Sequence, residues 1–142
     1  ISGACMAVRS EVGQRIGLMD EKIFMYGEDM QWCWRIGRAG GVIEFHPEVK
    51  IIHLNHQSAT RDYARWIENY TRGQIHLIST LCGRLSTVSA GLAVMVGSVL
   101  RIIAFGILWL LQAGRREECR QRIRGYLQAF SLGFTEMIKG KV

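Results

Sequence analysis

The sequence predicts an α/β fold that passes into a mostly helical, membrane-associating tail. Three observations carry this prediction. Residues 1–60 alternate strand-like apolar runs with a helical period, the pattern of layered α/β structure. Residues 61–142 keep apolar residues at helical spacing almost throughout. Charge divides at the same boundary: the first segment carries a net −1 and the second a net +7, within a total of +6. The more basic half is also the more apolar, which points to an anionic membrane surface before nucleic acid. At 142 residues, 49% hydrophobic and 21% charged, with a single proline, the chain has the composition of one modest domain and not of a disordered polypeptide.

The elements follow in order. "ISGACMAVR" reads as a short buried strand after a small-residue turn. The chain opens on Ile1, so it is expected to be the C-terminal part of a longer protein. Ser10 is placed to cap a short helix holding Val12 and Ile16, which Gly17 ends. "LMDEKIFMYG" reads as a loop anchored by Leu18, Met19, Ile23, Phe24 and Tyr26. A helix is predicted over 28–39, with Trp32, Ile36 and Ala39 on one face and Gly40-Gly41 as its stop. "VIEF" and "VKIIHL" are strand candidates separated by His46-Pro47, and the second brings His53 to a strand end. Cys5, Cys33, Cys82 and Cys119 are widely spaced without a CxxC, which gives no disulfide framework.

From Arg61 the period is helical. Tyr63, Ile67, Tyr70, Leu77 and Leu81 make an apolar face, and Arg61, Arg65 and Arg72 a basic stripe. Residues 88–111 form a 24-residue apolar run, long enough to cross a bilayer. Arg101 interrupts it, at a cost of roughly 2.5–3.5 kcal/mol near the centre of a span. An in-plane or re-entrant placement is therefore favoured over a full crossing. Thr87, Ala90, Gly91, Val94, Ser98 and Arg101 form a small-residue stripe suited to another helix or to the interface. "GRREECRQRIRG" sets five arginines against two glutamates, a cytoplasmic signature. A last amphipathic helix is predicted over 119–138.

Glu28 and Asp29 are the adjacent carboxylates at the start of the predicted 28–39 helix. A helix N-terminus stabilises negative charge, so a structural acidic turn accounts for them. Gly27 before the pair also suits close approach of a ligand, and a carboxylate held there is a competent general base for a hydroxyl. In sequence order, Gly17, Asp20, Glu21, Phe24, Tyr26, Glu28, Asp29, Arg35, Gly40, His53 and Ser58 lie between "SGACMAVR" and "VKIIHLNHQS". This ordered set resembles the C-terminal half of the catalytic domain of family 2 glycosyltransferases, closest to the rhamnosyltransferase-like enzymes of bacterial polysaccharide assembly. The resemblance covers about residues 1–60.

The resemblance implies half of a GT-A domain, doubly wound and Rossmann-like, working on a nucleotide-diphosphate sugar with inversion. It makes Asp29 the catalytic base with Glu28 in support, and it sets Asp20, Glu21 and Trp34 on the acceptor side. Trp34 reads first as core packing and second as a sugar-stacking ring, and Asp20 and Glu21 read equally as a solvated turn. Arg35 is assigned to donor phosphate or, on the bland reading, to an ion pair with Glu28. His53 is assigned to a divalent metal, Mg or Mn, that would neutralise the leaving diphosphate, or to the diphosphate itself, and reads equally as a structural histidine at a strand end. The pattern is incomplete: with aspartate only at positions 20, 29 and 62 the chain has no Asp-x-Asp, so this segment alone is expected to be inactive. Implied partners are the sugar donor, a lipid-linked or glycan acceptor and the cytoplasmic face of the bacterial inner membrane, with a homo-oligomer compatible and nucleic acid not expected. The competing reading is a non-catalytic membrane-anchoring or assembly module built on residues 61–142.

Overall fold

A computed structural model describes residues 3–52 and 62–139. The order is α1 (Ser10–Ile16), α2 (Glu28–Arg38), α3 (Tyr63–Cys82), α4 (Arg84–Leu111), a 3₁₀ turn (Ala113–Arg115) and α5 (Arg116–Lys139), with no strand among the described residues. The expected α/β architecture, and the GT-A half-domain with it, is thereby overturned: this is a helical protein.

The physical reason lies in what alternation can and cannot specify. An apolar–polar alternation gives a face pattern, but a strand is made by a neighbour that takes its N–H and C=O groups. "VIEF" and the described part of "VKIIHL" run with no ladder partner, and Val42, Phe45 and Ile52 are exposed. The described part of "ISGACMAVR", residues 3–9, is likewise irregular, with Gly3, Ala4 and Cys5 exposed in a turn.

The helices were more legible. α2 stops as a glycine-terminated helix should: Gly40 has φ +76°, and Gly41 N donates 2.9 Å to Ile36 O, closing the last turn. Asp62 caps α3 by accepting from Arg65 N at 3.0 Å. Ser10 is the first residue of α1, and Arg9 holds the cap position without a side-chain bond.

α3, α4 and α5 form a three-helix bundle, with α4 packed most extensively on α5. α4 runs antiparallel to α5, since Gly91 meets Gly133 while Phe105 stacks on Tyr126. α3 is buried on two sides. Ala64, Ile67, Thr71 and Ile75 follow one helical stripe, and Ala64 and Ile67 meet α5 at Gly125. Gly73 and Leu77 line a second stripe with Trp66 and Tyr70, which receives the loop before α2. Burying each of Ile67, Ile75 and Leu77 contributes about 1.5–3 kcal/mol.

Candidate functional site

The turn into α2 is built against α3. Gly27 has φ +119°, and Tyr26 has φ 71°, an uncommon state for a residue with a side chain. The close approach is to Gly73, where any Cβ would collide with the carbonyl oxygens of Tyr26 and Met25. The Tyr26 ring stands edge-on to Trp66 and Tyr70, and Trp66 Nε1 donates to Tyr26 Oη at 2.8 Å. These contacts hold a backbone that costs of order 1 kcal/mol or more by itself. Of the other expected loop anchors, Ile23 is buried, whereas Leu18 and Phe24 are exposed.

Both carboxylates of the pair sit in the first turn of α2, half-buried. Asp29 Oδ2 accepts from Gly3 N at 2.6 Å and Oδ1 from Met30 N at 2.7 Å. The small-residue turn and the acidic turn, 26 residues apart, therefore meet at one carboxylate. Each oxygen keeps a lone pair beyond these bonds. Glu28 Oε2 is buried and makes no hydrogen bond.

Asp20 lies apart from that clamp and pairs with α3. Its carboxylate accepts from Lys22 N at 3.0 Å and meets His76 Nε2 at 3.1 Å. The Lys22 amide, and then His76, hold the Asp20 carboxyl below its ordinary range against the opposing effect of burial. Glu21 beside it is exposed. A partly enclosed cleft next to the pair is lined by Lys22, Arg72, Ile75, His76, Ser79, Leu132 and Glu136. His76 was not among the residues singled out from the sequence; its signal was an imidazole within the apolar period of α3.

Arg35 ties loop to helix. Nη1 donates to Ile16 O at 2.9 Å, Nη2 donates to Leu18 O, and Nε donates to Gln31 Oε1 at 3.1 Å. It makes these bonds in place of an ion pair with Glu28. Trp32 is buried and donates to Gly17 O at 3.0 Å, whereas Trp34 is half-exposed with the Arg38 guanidinium 5.4 Å from its ring centroid.

His53, with His56 and Ser58, lies outside the described residues. Among the described residues no three His, Cys, Asp or Glu side chains converge on a point that could hold a metal ion. By themselves these residues do not make a metal site.

A second polar cluster ties α4 and α5 to the start of α3. Arg122 lies 4.5 Å from the Tyr63 ring and 5.1 Å from the Phe105 ring, and donates to Tyr63 Oη at 3.1 Å. Arg101 lies 5.6 Å from the Tyr126 ring and donates to Gly97 O at 3.0 Å. Burial, and then the Tyr126 hydroxyl, push the Tyr63 phenol up to about 12. The cation that broke the apolar run is thus spent on an aromatic face and a helical carbonyl.

Comparison with known proteins gives one kind of relative. The chain is 36% identical over 64 residues to the N-acetylglucosaminyl-diphospho-decaprenol L-rhamnosyltransferase of Mycobacterium tuberculosis, in strains CDC 1551 / Oshkosh and ATCC 25618 / H37Rv alike. The match takes in 45% of this chain and 21% of those relatives, so the chain spans about a fifth of their length. No family model and no solved structure matches. The similarity is to a glycosyltransferase, over less than half of the chain.

Proposed function

We propose that this chain belongs to a membrane-associated glycosyltransferase and supplies part of its acceptor side. The observation that carries the reading is the similarity to an enzyme whose name joins L-rhamnosyl transfer to N-acetylglucosaminyl-diphospho-decaprenol. The Asp29 geometry supports it. In the proposed step Asp29 takes the proton of an acceptor hydroxyl as that oxygen attacks the anomeric carbon of a nucleotide-diphosphate sugar. The new C–O bond forms, the glycosyl–phosphate bond breaks on the opposite side, and the nucleoside diphosphate leaves. One in-line displacement inverts the anomeric centre.

The amides of Gly3 and Met30 fix the carboxylate's direction, which is the orientation a base requires. Glu28, with its buried free oxygen, stands next to it as a supporting group. Asp20, Glu21 and Trp34 are the proposed acceptor contacts, and Asp20 would act through its pairing with His76. Rhamnose and the cytoplasmic face of a bacterial inner membrane are the finer parts of this proposal. A second reading, a membrane-anchoring or assembly module, draws on the exposed apolar side of α4.

The test is sugar transfer to an N-acetylglucosaminyl-diphospho-polyprenol acceptor, whose sugar supplies the hydroxyl, by the protein as its gene encodes it. Asp29→Asn keeps one oxygen for the Gly3 amide and removes the base, so a loss of roughly 10²–10⁴ in kcat is expected with the fold retained. Transfer at the wild-type rate would remove Asp29 from the chemistry, and no transfer by the wild type would favour the anchoring module.

A further inference from the structure

α4 is built the reverse way round from a core helix. Its small and polar residues Thr87, Gly91 and Ser98 are the buried ones. Its apolar residues Leu92, Val96, Leu100, Ile103, Ile107 and Leu110 are exposed. Their spacing of three and four places them on one face along most of the helix, turned away from the bundle. Mean hydropathy reaches 2.3 in the most apolar window of α4, of which only 6% is buried. An apolar face of that length left to water is the mark of an interaction site.

Length and composition would let α4 cross a bilayer, but its neighbours argue for another orientation. α5 stays against α4 from the Gly91–Gly133 contact to the Phe105–Tyr126 stack, a distance of roughly 21 Å along the helix. α3 packs beside both. These companions carry exposed Arg65, Arg72, Arg120 and Arg124. A crossing α4 would draw them into hydrocarbon, where such charges are strongly disfavoured. Arg101 is exposed but leans on the Tyr126 ring of α5, off the line of the outward apolar residues, so that line keeps its apolar character. Arg84 begins the helix and Arg115 and Arg116 follow its end. Arg115 is paired with Glu118 and Arg116 lies over the Trp109 ring, and all three arginines are exposed, which leaves a cation at each end of α4 for anionic headgroups.

We propose that α4 docks flat on an anionic phospholipid surface, its outward apolar face in the acyl boundary and its terminal arginines among the headgroups. It enters one leaflet and does not cross. This deepens the membrane association proposed above and rests on it.

Two measurements test it on the protein as its gene encodes it. The first is flotation with vesicles of phosphatidylethanolamine and phosphatidylglycerol, against phosphatidylcholine alone. Wild type is expected to float with the anionic vesicles. Leu100→Glu with Ile107→Glu is expected to lose roughly tenfold or more in binding, with helix content and thermal midpoint retained because both side chains are exposed. The second is labelling by a membrane-impermeant maleimide in sealed membranes of known orientation. One variant keeps Cys82 as its reactive thiol and the other has Gly114→Cys instead, where an added side chain meets nothing within 4 Å. Every other cysteine that solvent reaches, Cys5 and the half-buried Cys33 among them, is changed to Ser, and fully buried Cys119 stays.

Cys82 and Gly114 flank α4, so a flat helix labels both from the same side. Labelling from opposite sides would overturn the flat orientation and leave membrane association standing. Failure of the wild type to float would remove both, while the Asp29 assay would still judge the enzyme reading separately.

Discussion

Gly91 of α4 and Gly133 of α5 meet main chain to main chain: a Cβ on either would stand 2.8 Å from the other's carbonyl oxygen. No flexible side chain lies at that point to move aside, so the helices themselves must part. Gly91→Ala is expected to destabilise the bundle by roughly 1–3 kcal/mol, even though alanine favours the helical state. Gly106→Ala in the same helix meets nothing within 4 Å and should stabilise by up to about 1 kcal/mol. Denaturant unfolding followed by circular dichroism compares them; equal effects would deny the close crossing.

Gly73 does for the loop what Gly91 does for the bundle. A methyl group there strikes the Tyr26 and Met25 carbonyls, which are main-chain atoms. Gly73→Ala is therefore expected to lift the Tyr26–Gly27 turn off α3 and to cost roughly 1–3 kcal/mol. The Trp66–Tyr26 hydrogen bond reports the change, so the tryptophan emission should shift and amide exchange at 26–29 should quicken. Unaltered exchange would separate the turn from α3.

The Asp20–His76 pair sets a pH dependence. Asp20 is held below its ordinary value of 3.8, first by the Lys22 amide and then by His76. A carboxylate depressed on folding stabilises the folded state above its unfolded pKa and loses that contribution as pH falls through the folded value. Acid unfolding should therefore steepen below about pH 3.8, and Asp20→Asn should flatten that part of the profile. An unchanged slope would show that the pair contributes no linkage.

The helices were legible because their signals are local. Asp62 before Tyr63 caps α3 with its own side chain, and Gly40-Gly41 after α2 and Gly83 between α3 and α4 mark ends that nearby backbone satisfies. The expected strands are absent among the described residues, because "VIEF" carries the alternation of a strand and nothing in that alternation supplies the partner. The Asp29 environment was half legible. Its place in a first turn follows from the sequence, but the Gly3 amide comes from 26 residues away and only folding brings it there. His76 was hidden for the same reason, since its partner Asp20 lies 56 residues back. In α4 the sequence displayed the small-residue stripe, and its burial against α5 settled which side is turned outward.

Arg35 shows why a cation near an acidic turn can be read two ways. Its guanidinium divides among the Ile16 and Leu18 carbonyls and the Gln31 amide oxygen, using a planar fork that an ammonium group lacks. Arg35→Lys preserves the charge but leaves at least one of these part-buried acceptors without a donor. A loss of about 1–3 kcal/mol is expected, with faster proteolysis across residues 17–26. Arg38→Lys is the comparison: Arg38 is exposed over Trp34, so a change within about 0.5 kcal/mol is expected. If Arg35→Lys instead left stability intact and raised the KM for the sugar donor, the guanidinium would belong to the diphosphate and not to the loop.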